Sequence, residues 1–131
     1  MKRTPINPWP WSKAVGYNQA ELIEGATRHL ICAGQTAVDG EGRPQHAGDM
    51  RAQLTLALGN LEAVLEAGGM EWKDVVRLSI ATTDVDAAMG SLDLLGARLG
   101  PSGAAPAQTL LGVSRLALPE LMIELEATAM R

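Results

Sequence analysis

At 131 residues, with 47% apolar and 20% charged positions, the chain has the length and mix of one globular domain, which excludes two ordinary-sized domains and a disordered polymer. Aromatic residues make up 3%, Phe is absent and the formal net charge is −4, so neither a base-stacking aromatic platform nor a global pull toward nucleic acid or anionic lipid is expected. The single cysteine, Cys32, excludes an internal disulfide, and no window nears eighteen uninterrupted apolar residues, so a reducing cytoplasm without membrane contact is the expected setting.

Residues 1–16 interleave Pro5, Pro8 and Pro10 with Trp9 and Trp11, which predicts an extended arm rather than a helix or a central strand. From Tyr17 to Val38 two strand-like runs, YNQAELI and RHLICAGQTAV, flank EGAT, where Gly25 supplies a turn, and predict a hairpin. DGEGRPQ is turn chemistry. Met50, Leu54, Leu58, Leu61 and Leu65 then form a helical stripe that leaves Arg51, Gln53, Asn60, Glu62 and Glu66 off it, with Asp49 at its start and Gly68-Gly69 as its stop.

DVVRLSIATT alternates as a strand, and Asp84-Val85-Asp86 leads into a second helix whose stripe is Met89, Leu92, Leu95 and Leu99, ended by Gly100-Pro101. AQTLLGVSRL and, after Pro119, LMIELEATA complete the strands. The order predicts a single α+β domain over 1–131, a mixed sheet with two helices on one face, whose other face needs a partner.

Isolated chemistry is sparse. His29 and His46 with Asp49 lack a third ligand at metal spacing, so no metal site is expected. Cys32 has no activating base beside it in sequence and reads as a core thiol.

Taken together, GYNQA (16–20), AGQ (33–35), Gln53 with Asn60-Leu61, AGG (67–69), DVVRL, PAQT (106–109), LP (118–119) and IELEATA (123–129) resemble the RidA/YjgF family, also known as endoribonuclease L-PSP, in register from Tyr17 to Ala129. That resemblance implies a chorismate-mutase-like subunit in a homotrimer with a barrel-like core and a small-molecule cleft between neighbouring subunits. It also implies hydrolysis of reactive enamines and imines to keto acids and ammonia, with no metal or organic cofactor.

Carried over residue by residue, the resemblance assigns Glu124 to positioning or polarising the attacking water. It places Tyr17, Ala33, Gln35, Ser91 and Gln108 at the substrate, with Ala33 replacing the family serine. Gln108 stands where the family has the arginine of PAR. A guanidinium grips a carboxylate with two parallel charge-assisted hydrogen bonds, whereas an amide offers neutral donors, at a cost of about tenfold in affinity or more. Arg115, seven residues along the same predicted strand, is expected on the opposite face, while Arg28, Arg77 and Arg98 reach the cleft only if the fold or a neighbour brings them.

Three readings follow. The first is an enamine or imine deaminase whose substrate differs from that of arginine-bearing members, one lacking the anchoring carboxylate. The second is a non-catalytic trimer that binds a small amide or carbonyl metabolite. The third, ribonuclease or translation-inhibitor activity, gains nothing from this acidic composition or from the two histidines.

Overall fold

The computed structural model describes residues 1–131. Two sheets organise the chain. β1 (Lys2–Ile6) and β2 (Ala20–Glu24) pair antiparallel from Lys2 with Glu24 to Ile6 with Ala20. The main sheet runs β3 (His29–Ile31), β7 (Ile123–Met130), β5 (Val75–Thr82), β6 (Ala107–Gly112), with the short β4 (Gln35–Thr36) also on β7. Only β5 and β6 are parallel, so the sheet is mixed, and the connection between them carries α2 (Val85–Met89) and α3 (Leu92–Ser102).

The core lies between this sheet and α1 (Met50–Ala67) with α3. Leu54, Leu58, Leu61 and Leu65 of α1 and Leu95 and Leu99 of α3 pack against Leu78 and Ile80 of β5 and the alternate residues Ile123, Leu125, Ala127 and Ala129 of β7. Period 2 on the strands and steps of three and four on the helices meet in one apolar layer. Asp49 caps α1 by accepting from the Ala52 amide at 3.0 Å.

Several expectations are corrected. The two runs after Tyr17 do not form a hairpin: β2 goes to the arm, and β3 and β4 go to β7. The second run is itself interrupted at Cys32–Gly34, although it stays on β7: the Cys32 amide donates to the Ala127 carbonyl at 3.0 Å, and the register, Ile31 with Thr128, resumes one residue out of step at Gln35 with Leu125. Of the expected extended arm, Lys2–Ile6 is extended and the later part is not. The arm contributes an edge strand, on which Pro5 is tolerated, and then a 3₁₀ turn over Pro10–Val15 with Pro at its start.

The second helix is two helices. Gly90 and Ser91 interrupt it, Met89 is thrown outward at 57% exposure, and α3 runs through Pro101 to end at Gly103 with φ 70°. The strand after Pro106 stops at Gly112, so Arg115 lies beyond it, its guanidinium turned onto the carbonyl oxygens of Leu116 and Ala117.

Gln53, placed off the stripe by periodicity, is fully buried. Its amide donates to the carbonyl oxygens of Glu120 at 2.8 Å and Gln45 at 3.2 Å, and its oxygen accepts from the Met122 amide at 2.8 Å. Asn60, also off the stripe, donates to the carbonyls of Thr36 and Val38. Both side chains supply partners for backbone groups that no strand satisfies.

Candidate functional site

Tyr17 and Gln108 line one concavity and Glu124 another, and the two lie on opposite faces of the main sheet. Gln108 is the register partner of Leu78, on the helix-facing side of β6. Glu124 is the partner of Ala81, on the side that the helices leave uncovered. The alternation of a strand forces this division, so a single chain does not bring the two side chains to one substrate.

The first concavity is a cleft of about 330 Å³ beside the edge strand β6. Gln108 and Leu110 form its floor with Ile80, Met89 and Leu92 close its helical side, and Trp11, Val15 and Tyr17 of the arm form the other wall. Gly16, at φ 91°, ends the 3₁₀ turn and sends Tyr17 back so that its amide donates to the Ser12 carbonyl at 3.2 Å. The Trp11 and Tyr17 rings then meet edge to face, 6.0 Å apart at 86°.

The arm is anchored by polar contacts on either side of those rings in sequence. Arg3 donates from Nε to Glu21 at 2.9 Å and from its terminal nitrogens to the carbonyls of Lys73 and Val75. Asn7 donates to the Asn18 side chain, which donates in turn to Glu21, and Asn7 also accepts from the Gln19 amide. The aromatic wall therefore stands on a polar clamp that ties the arm to β2 and β5.

No lysine or arginine lines this cleft. Arg28 donates to the Gly68 carbonyl, Arg98 is paired with Glu62, and Arg77 belongs to the opposite face. Another predicted cleft residue, Ser91, is buried at 3% exposure, and its hydroxyl donates to the Ala87 carbonyl at 2.8 Å across the break between α2 and α3. It shapes the helix break instead of presenting a hydroxyl to the cavity.

The second concavity, of about 300 Å³, lies on the uncovered face, where Glu124 and Glu126 stand among Arg77, Ser79, Ala81, Thr109 and Leu111. Glu124 reaches toward the 33–35 segment: a Cβ built on Gly34 would fall 2.0 Å from its Oε1. Ala33 is exposed there, and Gln35 turns its amide back onto the Ala33 carbonyl at 3.3 Å. Cys32, at the start of this segment, is buried, and desolvation raises its thiol above the ordinary value of 9.0.

The structure thus groups Tyr17 with Gln108 and brings Gly34 against Glu124, whereas neither Ala33 nor Gln35 lines the Glu124 concavity and Gln35 is the register partner of Leu125. Trp11, Val15, Ile80, Met89, Leu92 and Leu110 also line the cleft, and the sequence does not single them out as such. Their one sequence signal was Met89, an apolar residue that had to leave the stripe once Gly90 broke the helix.

A mixed sheet covered on one face by helices, with a ligand-sized cleft at its edge strand and a carboxylate on its bare face, defines the class: a small α+β protein of the YjgF type. Residues 10–131 match the family model described as endoribonuclease L-PSP, and the chain belongs to that family, the RidA/YjgF family. It is similar to the Rid-family protein YyfB from Yersinia pestis, with 37% identity, all of both chains covered and a TM-score of 0.84. It is also similar to the YjgF gene product of E. coli, with 27% identity, 98% of this chain and 93% of that one covered and a TM-score of 0.70. Protein DfrA of Myxococcus xanthus is 33% identical over 131 residues, spanning 98% of this chain and 96% of that protein.

Proposed function

We propose that this protein hydrolyses reactive enamine or imine metabolites to carbonyl compounds and ammonia, as a homotrimer in which Glu124 of one copy faces the Tyr17–Gln108 cleft of the next. The observation that carries this reading is the division of the site: each chain holds a cleft lined by no carboxylate or histidine and, on the other face of its sheet, a carboxylate in a separate concavity that neither Tyr17 nor Gln108 lines. A neighbour completes both at once.

In the reaction an enamine first takes a proton at carbon and gives one up from nitrogen to become the imine. Water adds to the C=N carbon while the nitrogen takes up a proton, giving a carbinolamine. That intermediate breaks its C–N bond, forms C=O and releases ammonia. One water is consumed and no electrons leave the system. Glu124 orients the water and accepts its proton, a task worth about 10²–10⁴ in rate for a positioned carboxylate.

The second reading, a binding trimer without hydrolysis, draws on Gln108, whose neutral amide replaces the family's guanidinium. Hydrolysis of imines generated in situ, followed with and without the protein, separates the two. The enzyme reading expects acceleration that falls about a hundredfold or more in Glu124→Gln. If no imine is hydrolysed faster by the parent while Gln108→Arg gains activity that Glu124→Ala removes, the cleft is family-like and the natural role is binding. Ribonuclease activity ranks below both, since neither concavity carries a histidine and the chain is acidic overall.

A further inference from the structure

We infer that the cleft selects a carboxylate-free imine bearing a flat apolar group, the type formed when an arylalkyl primary amine is oxidised, and that Trp11 is a specificity-determining residue for it. As a substrate assignment, this rests on the proposed function; as a statement about which ligands the cleft accepts, it stands on the geometry alone.

Charge is the first argument. A carboxylate entering this cavity would lose water and find no cation, because no lysine or arginine is among its lining residues. The arginines of the same chain that could have compensated lie elsewhere: Arg98 with Glu62, Arg28 with the Gly68 carbonyl, Arg115 with carbonyls of its own loop, and Arg77 on the opposite face of the sheet. The face postulated to complete the site would bring Glu124 and Glu126 against the single cation Arg77, an excess of negative charge that repels a second anion.

Shape is the second. Trp11 and Tyr17 stand at 86° to each other and make two perpendicular aromatic walls, while Met89, Leu92 and Leu110 close the remaining sides with aliphatic and thioether surface. Such a corner accepts a ring against one wall and its edge against the other. The Gln108 amide is then the polar group that fixes orientation, able to donate to a carbonyl or imine lone pair and to accept from an N–H. At about 330 Å³ the cavity is near the lower end of ligand sites, roughly 300–1,000 Å³, and suits a single ring with a short chain.

The step is the hydrolysis written above with R–CH=NH as substrate: water in, an aldehyde and ammonia out. The reaction that supplies it is therefore an amine oxidation, and the one that consumes its product acts on an aldehyde.

Binding tests the inference without any need for catalysis. Phenylacetamide and phenylacetate differ only in charge and amide donor, and calorimetry on the whole protein is expected to find phenylacetamide at least tenfold tighter. Gln108→Arg is expected to reverse that order, and Trp11→Ala, at an exposed position that carries little folding risk, to weaken phenylacetamide at least fivefold. Equal or tighter binding of phenylacetate by the parent, or no binding of either probe, overturns the inference. In a parallel assay, the imine made from phenethylamine by an amine oxidase is expected to be hydrolysed with kcat/KM at least tenfold above that made from phenylalanine by an amino-acid oxidase. Preference for the phenylalanine product overturns the inference, whereas phenylacetamide selectivity with neither imine hydrolysed removes the deaminase reading and leaves the ligand class standing.

Discussion

Gly34 shows how one missing Cβ can hold a site. Its φ is not in the left-handed region, so an alanine is tolerated by the backbone, but the added carbon would stand 2.0 Å from Glu124 Oε1 and 2.7 Å from its carboxyl carbon. The carboxylate is the far end of a flexible side chain and can swing away at little cost to folding. Gly34→Ala is therefore expected to leave the thermal midpoint within about 2–3 °C while lowering imine hydrolysis at least tenfold, read by calorimetry beside the oxidase-coupled assay. A large drop in stability with unchanged specific activity would contradict this placement of Glu124. Sequence reading named the flanking Ala33 and Gln35 from the family motif and passed over the glycine between them, because the lack of a side chain matters only once another side chain is known to fill the space.

Helix α1 carries the most legible and the least legible chemistry of the fold together. Its apolar stripe gave the element, its start at Asp49 and its end within a residue. Gln53 was lost by the same rule, since an amide off the stripe reads as solvated and is in fact sealed between the Gln45–His46 loop and the Glu120–Met122 segment. Gln53→Leu keeps much of the volume and leaves the Met122 amide and the Glu120 carbonyl without partners, each unsatisfied group costing about 1–3 kcal/mol. A loss of about 2–4 kcal/mol in urea unfolding is expected. A near-neutral result would mean that water reaches those groups. The loop held by Gln53 leads directly into β7 and Glu124, so this helix positions the carboxylate although no residue of α1 lines either concavity. At the other end of the helical layer, Gly90 and Ser91 turn one expected helix into two and deliver Met89 to the cleft.

For the whole molecule the decisive feature is the bare face of the main sheet, where Leu111 is 60% exposed beside Thr109, Ser79 and Glu126. A sheet covered by helices on one side only leaves a surface that another copy can bury. Sedimentation is expected to give a particle of three 13.8 kDa chains. Leu111→Arg, a charge placed on that face, is expected to yield a folded monomer by circular dichroism that has lost imine hydrolysis, because Gln108 and Glu124 then never meet. A monomeric parent, or a monomeric variant with full activity, would sink the shared cleft.

The sequence alone determined the α+β class, the apolar faces of the helices and strands, the family and the substitution at Gln108, since each is written in local periodicity or in motif identity along the chain. It could not decide which strands pair, because β2 and β3 are adjacent in sequence and both strand-like, and their partners, β1 and β7, are fixed by long-range register and by the arm's polar clamp. Nor could it decide what surrounds Gln108. Only the tertiary structure moved Trp11 from the arm to the cleft wall and turned Arg28, Arg98 and Arg115 elsewhere. The physical reason is common to all of these: a side chain's neighbours across a fold are set by strand register and helix docking, which bring together residues that no spacing along the chain relates.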